Sequence, residues 1–106
     1  MKIGTDIVEI SRIPFDNMAF VHGILTSKEI AIYEMRTDKA QFLAGRYAAK
    51  EAFLKALGTG LAGAKLNDID VSYRKEGAPV LTYRGQEYEV SISHDGGYAI
   101  SVVIIP

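Results

Sequence analysis

The stretch DKAQFLAGRYAAKEAFLKALG, Asp38–Gly58, decides the fold. It contains no proline, it is rich in good helix formers, and it is bracketed by an N-cap candidate, Asp38, and a stop residue, Gly58. At 100° per residue Phe42, Ala49, Phe53, Ala56 and Leu57 share one broad face, and Leu43, Tyr47 and Leu54 make a second apolar ridge. A helix that is apolar over most of its circumference is covered on several sides. Its alanines and Gly45 leave room for another element to approach closely. The stretch is therefore predicted to be a central helix packed on a sheet.

Upstream, IGTDIVEI (Ile3–Ile10) has the β-branched residues of a strand, with Asp6 at a position where aspartate is disfavoured. A carboxylate there needs a partner, exposure or a cation. The following SRIPFDNMAFVHG is interrupted by Pro14, and Asp16 or Asn17 can cap a short helix through Phe20 and Val21. In ILTSKEIAIYEM, Thr26 or Ser27 followed by Glu29 reads as a helix N-terminus. Downstream, GTGLAGAK reads as a flexible loop. Four strands are predicted after it, in IDVSY, PVLTY, YEVSISH and YAISVVII, separated by turns at KEGAP, RGQ and HDGG. Asp95, Gly96 and Gly97 give the strongest hairpin signal. Strand, helices, then strands argue an α+β fold, a mostly antiparallel sheet against one long helix, in a single domain over residues 1–106.

Composition narrows the function classes. The 106 residues are 48% hydrophobic and 24% charged with a net charge of −1, so no global basic field points to nucleic acid. The chain has no cysteine, which excludes disulfides, thiolate zinc sites and a cysteine nucleophile. No apolar run approaches a membrane span and no signal-peptide layout precedes the first strand. The expectation is a cytoplasmic protein with neither nucleic-acid nor membrane partners. The apolar YAISVVII strand suits either an internal core or a subunit interface.

The chemistry-bearing candidates are the charges on the long helix: Arg46, Lys50, Glu51 and Lys55. Arg46 and Lys50 lie one turn apart, as do Glu51 and Lys55. They read either as a solvated face with a Glu51–Lys55 ion pair or as a cationic arc for a phosphate-rich ligand. Asp6 and Glu51 can share one hard divalent ion if the helix packs over the first strand, because magnesium takes one or two protein carboxylates and fills its remaining positions with phosphate oxygens and water. Ser93 and His94 end a strand beside a tight turn, a place for a functional or a merely structural pair. Ser93, His94 and Asp95 do not make a hydrolase triad, since neighbours in a strand point to opposite faces.

Taken together, IGTDIVEISRI, ILTSKE, FLAGRYAAKEAFLKALGTGL, DIDV, GAPVL and SISHDGGYAISVVI resemble, in order and over nearly the whole chain, the holo-[acyl-carrier-protein] synthase family of 4′-phosphopantetheinyl transferases. The resemblance implies transfer of 4′-phosphopantetheine from coenzyme A to a serine of apo-acyl carrier protein in fatty acid synthesis, leaving adenosine 3′,5′-bisphosphate. It implies Mg²⁺ held by Asp6 and Glu51, with Arg46, Lys50, Lys55 and His94 facing coenzyme A phosphates and Thr59, Gly60 and Ser93 near the nucleotide. Glu51, Lys55 and Asp6 are its catalytic set, with Glu51 or a metal-bound water as the base. Arg12 and Phe20 are the implied carrier-protein contacts. The segment Ile13–Gly23 departs from the family pattern by having no Lys or Arg. A homotrimer with active sites between subunits is also implied. A noncatalytic module binding a phosphorylated nucleotide, or a transferase for polyketide or peptide carriers, are the competing readings. A pure anion binder, however, would avoid the Asp6–Glu51 pair.

Overall fold

The computed structural model describes residues 1–58 and 64–106. Strand β1 (Lys2–Glu9) is followed by helices α1 (Met18–Ile24), α2 (Ser27–Glu34) and α3 (Lys39–Leu57), then by strands β2 (Asp70–Tyr73), β3 (Pro79–Tyr83), β4 (Gln86–Asp95) and β5 (Tyr98–Ile105). The strands form one antiparallel sheet in the order β1-β5-β4-β3-β2. The N-terminal strand is thus an edge strand, placed there by its pairing with the last strand. This is the α+β architecture expected from the sequence.

Local chemistry explains the helix boundaries. Asn17 caps α1 by accepting from the Phe20 N–H, and Thr26 forms a capping box with Glu29 at the start of α2. Gly58 ends α3 in the left-handed region at φ 74°. Asp38 occupies the N-cap position of α3 without capping it: its carboxylate accepts two 2.7 Å bonds from the Arg36 guanidinium instead. The β4–β5 turn falls on Gly96 and Gly97, both at positive φ, as the HDGG signal predicts. The loop expected over Gly58–Lys65 lies partly outside the described residues.

Helix α3 crosses the sheet along β1 and β5. One apolar cluster unites Val8, Val21, Leu25, Tyr33, Phe42 and Leu43; a second unites Phe53, Ile69, Val71, Leu81, Val90 and Val103. Gly4 is what lets β1 lie against α3. A Cβ at that position would overlap the Ala52 carbonyl oxygen and crowd the Ala56 nitrogen. The opposite face of the sheet is apolar and open: Ile3 is paired with Ile104, Thr5 with Val102 and Ile7 with Ile100, and the five apolar residues of this stripe are all exposed.

Candidate active site

The close packing at Gly4 brings the last two turns of α3 over the middle of β1. Asp6 alternates with Gly4 and Val8 on the helix-facing side of the strand, and Lys55 Nζ donates to Asp6 Oδ1 at 3.0 Å. Glu51 lies one turn before Lys55 on the same face of α3. The ion pair foreseen between Glu51 and Lys55 is replaced by this Asp6–Lys55 contact among the described residues. Glu51 is half-buried, and its pKa is raised above the usual carboxylate value by burial first and by the neighbouring Asp6 carboxylate second, with Lys55 opposing both. Two carboxylates with one exposed lysine form a local excess of negative charge that a cation relieves.

Asp6 and Glu51 open into a cleft of about 400 Å³. Arg12 and Phe20 line the same cleft, so sequence candidates from four elements converge on it. Tyr47, one turn before Glu51, also lines the cleft; its ring packs against Phe20 with centroids 6.0 Å apart. Its hydroxyl pKa is raised by burial, then by Glu51 and Asp6, so the phenol keeps its proton. Glu9 also lines the cleft, accepts a 3.0 Å bond from Ser11 and lies 3.6 Å from the Arg12 guanidinium. Tyr47 and Glu9 were passed over as cleft residues in the sequence. Tyr47 looked like core, yet its i, i+4 spacing to Glu51 was the available signal.

Arg46 and Lys50 require a correction. The sequence places them with Glu51 and Lys55 as one polar arc facing phosphates, but both are interior, at 3% and 0% exposure. Lys50 Nζ donates to Glu29 Oε1 at 2.5 Å and to the Ile24 carbonyl at 2.6 Å. Arg46 lies between the rings of Phe42 and Tyr73, its Nη1 donates to the Tyr73 hydroxyl at 3.1 Å, and its Nε is 3.7 Å from Glu29 Oε2. The physical reason is rotational. Positions 46 and 50 lie about 100° or more around the helix from positions 51 and 55, so the charges fall on two faces. Burial pushes the Lys50 pKa down, and the Glu29 carboxylate counters it. Glu29, read in the sequence only as a capping residue, is thereby the buried counter-ion of both cations.

His94 is exposed at the other end of α3, where its Nε2 lies 3.2 Å from Gln41 Nε2. Ten residues of helix separate Gln41 from Glu51, about 15 Å at 1.5 Å per residue. One chain therefore does not bring His94 to the Asp6–Glu51 cleft. Ser93 is exposed beside it on β4. Thr59 and Gly60 lie outside the described residues. Among those described, no group of three or more His, Cys, Asp or Glu side chains could hold a metal, and no helix is long and apolar enough to cross a membrane.

The chain is similar to known proteins over nearly its whole length. The profile of the 4′-phosphopantetheinyl transferase superfamily matches residues 2–103. The chain is 40% identical over 105 residues to a holo-[acyl-carrier-protein] synthase of Streptococcus equi subsp. zooepidemicus, covering 94% of this chain and 88% of that one. Its fold is similar to the holo-(acyl-carrier-protein) synthase of Bacillus anthracis in complex with CoA (3′,5′-ADP), with a TM-score of 0.85 and 36% identity over 96% of this chain and 92% of the other. The Helicobacter pylori holo-[acyl-carrier-protein] synthase in complex with coenzyme A is also similar, with a TM-score of 0.85 and 36% identity over 98% and 99% of the two chains.

Proposed function

The chain belongs to the 4′-phosphopantetheinyl transferase superfamily, and on that premise we propose that its cleft transfers 4′-phosphopantetheine from coenzyme A to a serine of apo-acyl carrier protein in fatty acid synthesis. Residues 1–106 would act as one domain, in the cytoplasm. The observation that carries the reading is the meeting of Asp6, Glu51 and Lys55 at a cleft whose rim holds Arg12 and Phe20.

Asp6 and Glu51 would hold a Mg²⁺ ion. The fit rests on the donor set: two oxygen ligands, in electrostatic conflict with each other, leave the remaining positions to pyrophosphate oxygens and water. When bound, such an ion neutralises charge developing on the transferring phosphate. The serine oxygen forms a new bond to the phosphorus that bears pantetheine, the P–O bond to the adenosine half breaks, and adenosine 3′,5′-bisphosphate leaves. The serine proton passes to Glu51 or to water in the cleft. Lys55, 58% exposed at its side chain, exchanges Asp6 for a phosphate oxygen and stabilises the departing charge. Arg12, 82% exposed, meets the acidic carrier, and Phe20 offers an apolar contact beside it. Thr59, Gly60, Ser93 and His94 remain the candidates for the nucleotide end.

The open stripe of Ile3, Ile7, Ile100, Val102 and Ile104 supports assembly into a homotrimer, since a continuous apolar sheet face favours burial against other copies. A neighbouring copy would also offer its His94 to a cleft that the chain's own His94 does not reach. The deciding experiment mixes the chain with coenzyme A, Mg²⁺ and apo-acyl carrier protein and weighs the carrier by mass spectrometry. A gain of one phosphopantetheine is expected; an unchanged mass across several carriers overturns the reading.

A further inference from the structure

The buried charges of α3 do not touch the cleft, yet they are built with more care than a core requires. Glu29 is 1% exposed, and its carboxylate gathers four groups from α2, α3 and β2. Oε1 accepts from the Thr26 N–H at 2.9 Å and from Lys50 Nζ at 2.5 Å; Oε2 accepts from the Val71 N–H at 3.1 Å and faces Arg46 Nε at 3.7 Å. Lys50 adds the Ile24 carbonyl at the end of α1. Among the described residues Glu29 is the one buried anion set against two buried cations.

We propose that Glu29 is a positioning residue for the transfer reaction: by anchoring Lys50 and Arg46 inside, it fixes the rotation of α3 about its axis that presents Glu51 and Lys55 to Asp6. The inference rests on the reading of the cleft given above. Lys50 and Glu51 are consecutive, 100° apart, so whatever fixes the direction of one fixes that of the other. A side-chain tip lies about 5–6 Å from a helix axis, so a 20° turn of α3 sweeps it by about 2 Å. A misplacement of about 1 Å at a reacting centre can lower a rate about 100-fold. The Gly4 contact sets how close α3 lies to β1, but a contact between a smooth strand and a small-residue face leaves rotation free. The apolar clusters hold α3 on the sheet, and the Glu29 cluster adds the directional, charge-assisted contacts that set its rotation.

The cluster also predicts an asymmetry between its members. Replacing Glu29 by Gln puts an amide where both sides present donors: Thr26 N–H and Lys50 on one, Val71 N–H and Arg46 on the other. No flip of the amide satisfies it, and two cations stay buried without a carboxylate. Replacing Lys50 by Met leaves Glu29 with Arg46, whose buried Nε and Nη2 have no hydrogen-bond partner and are free to take over the carboxylate. One anion then faces one cation.

The test compares the wild-type chain with Glu29→Gln, Glu29→Asp and Lys50→Met. Thermal melting should rank Lys50→Met well above Glu29→Gln. Glu29→Asp, which keeps the charge but shortens its reach, should fold, bind coenzyme A within about threefold of wild type, and turn over about 10-fold or more slowly. Calorimetry with coenzyme A present should show it needing about 10-fold more Mg²⁺, a shift that a loss of bulk stability would not cause. Folded Lys50→Met should also bind coenzyme A within about threefold. Wild-type turnover and Mg²⁺ affinity in Glu29→Asp overturns the proposal, as does a 10-fold loss of coenzyme A affinity in folded Lys50→Met, which would make Lys50 a phosphate ligand. A wild-type chain that binds Mg²⁺ and coenzyme A but modifies no carrier counts against the proposed function alone. The ratio of Mg²⁺ affinities still decides the role of Glu29.

Discussion

Lys50 and Glu51 are neighbours in the chain and belong to different regions of the molecule. Lys50, with Arg46, points into a sealed cluster around Glu29; Glu51, with Lys55, lies beside Asp6 at an open cleft. In the interior every charge has its counter-charge within ion-pair distance. At the cleft Asp6 and Glu51 share one exposed lysine, and the Glu51 pKa is raised by burial first and by Asp6 second. A buried cluster whose cations both contact one carboxylate restrains a helix, whereas an exposed site with surplus negative charge recruits a ligand. The difference lies in what surrounds the residues, since their chemistry is alike.

The comparison is broken most sharply from the cleft side. Glu51→Gln should lower carrier modification by about 1,000-fold, about 4 kcal/mol of transition-state stabilisation, with the fold intact by circular dichroism. Asp6→Asn should behave alike. Near-normal transfer in both would remove the carboxylate pair from the chemistry. Next in size, Gly4→Ala drives a methyl into the Ala52 carbonyl and should destabilise the chain by about 3 kcal/mol or more in urea melts. A tolerated alanine would mean that α3 can lift from β1, and that the cleft does not depend on their close approach.

Smaller effects sharpen the contrast. Arg12→Glu should raise the KM for the carrier about 10-fold, equivalent to about 1.4 kcal/mol, and leave that for coenzyme A little changed. A coenzyme A defect would place Arg12 at the wrong end of the substrate pair. The smallest effect concerns the metal-free chain. The folded pKa of Glu51 is raised from its ordinary 4.5, so its protonated form is the stabilising one. That contribution is present below about pH 4.5 and is lost as pH rises through the folded value. At pH 7 without Mg²⁺, Glu51→Gln should therefore melt at the wild-type temperature or a few degrees above it, and the gap should close on acidification. A variant that melts lower at pH 7 would show that the Glu51 charge is already compensated.

Much of the fold was legible because its signals are local. Thr26 with Glu29, Asn17 and Gly58 delimit helices through bonds made within a turn, and the paired glycines at 96 and 97 force a tight hairpin. The cleft was legible in part: Asp6, Glu51, Lys55, Arg12 and Phe20 were all picked from the sequence, and the structure gathers them. Arg46 and Lys50 were misread because helical spacing tells which residues share a face, and not which face another element covers. Glu29 was read through its cap, the one of its contacts that is near in sequence; Lys50, Arg46 and Val71 are 17 or more positions away.

By itself, then, the sequence determined the helix ends, the strands and the turn at Gly96–Gly97, each set by residues within a few positions of one another, and the order of motifs along the chain that identifies the family. The tertiary structure decided the direction of each charge on α3. Packing against β1 at Gly4 and anchoring at Glu29 fix the helix's distance and rotation, and those are long-range contacts between segments that the chain order keeps apart.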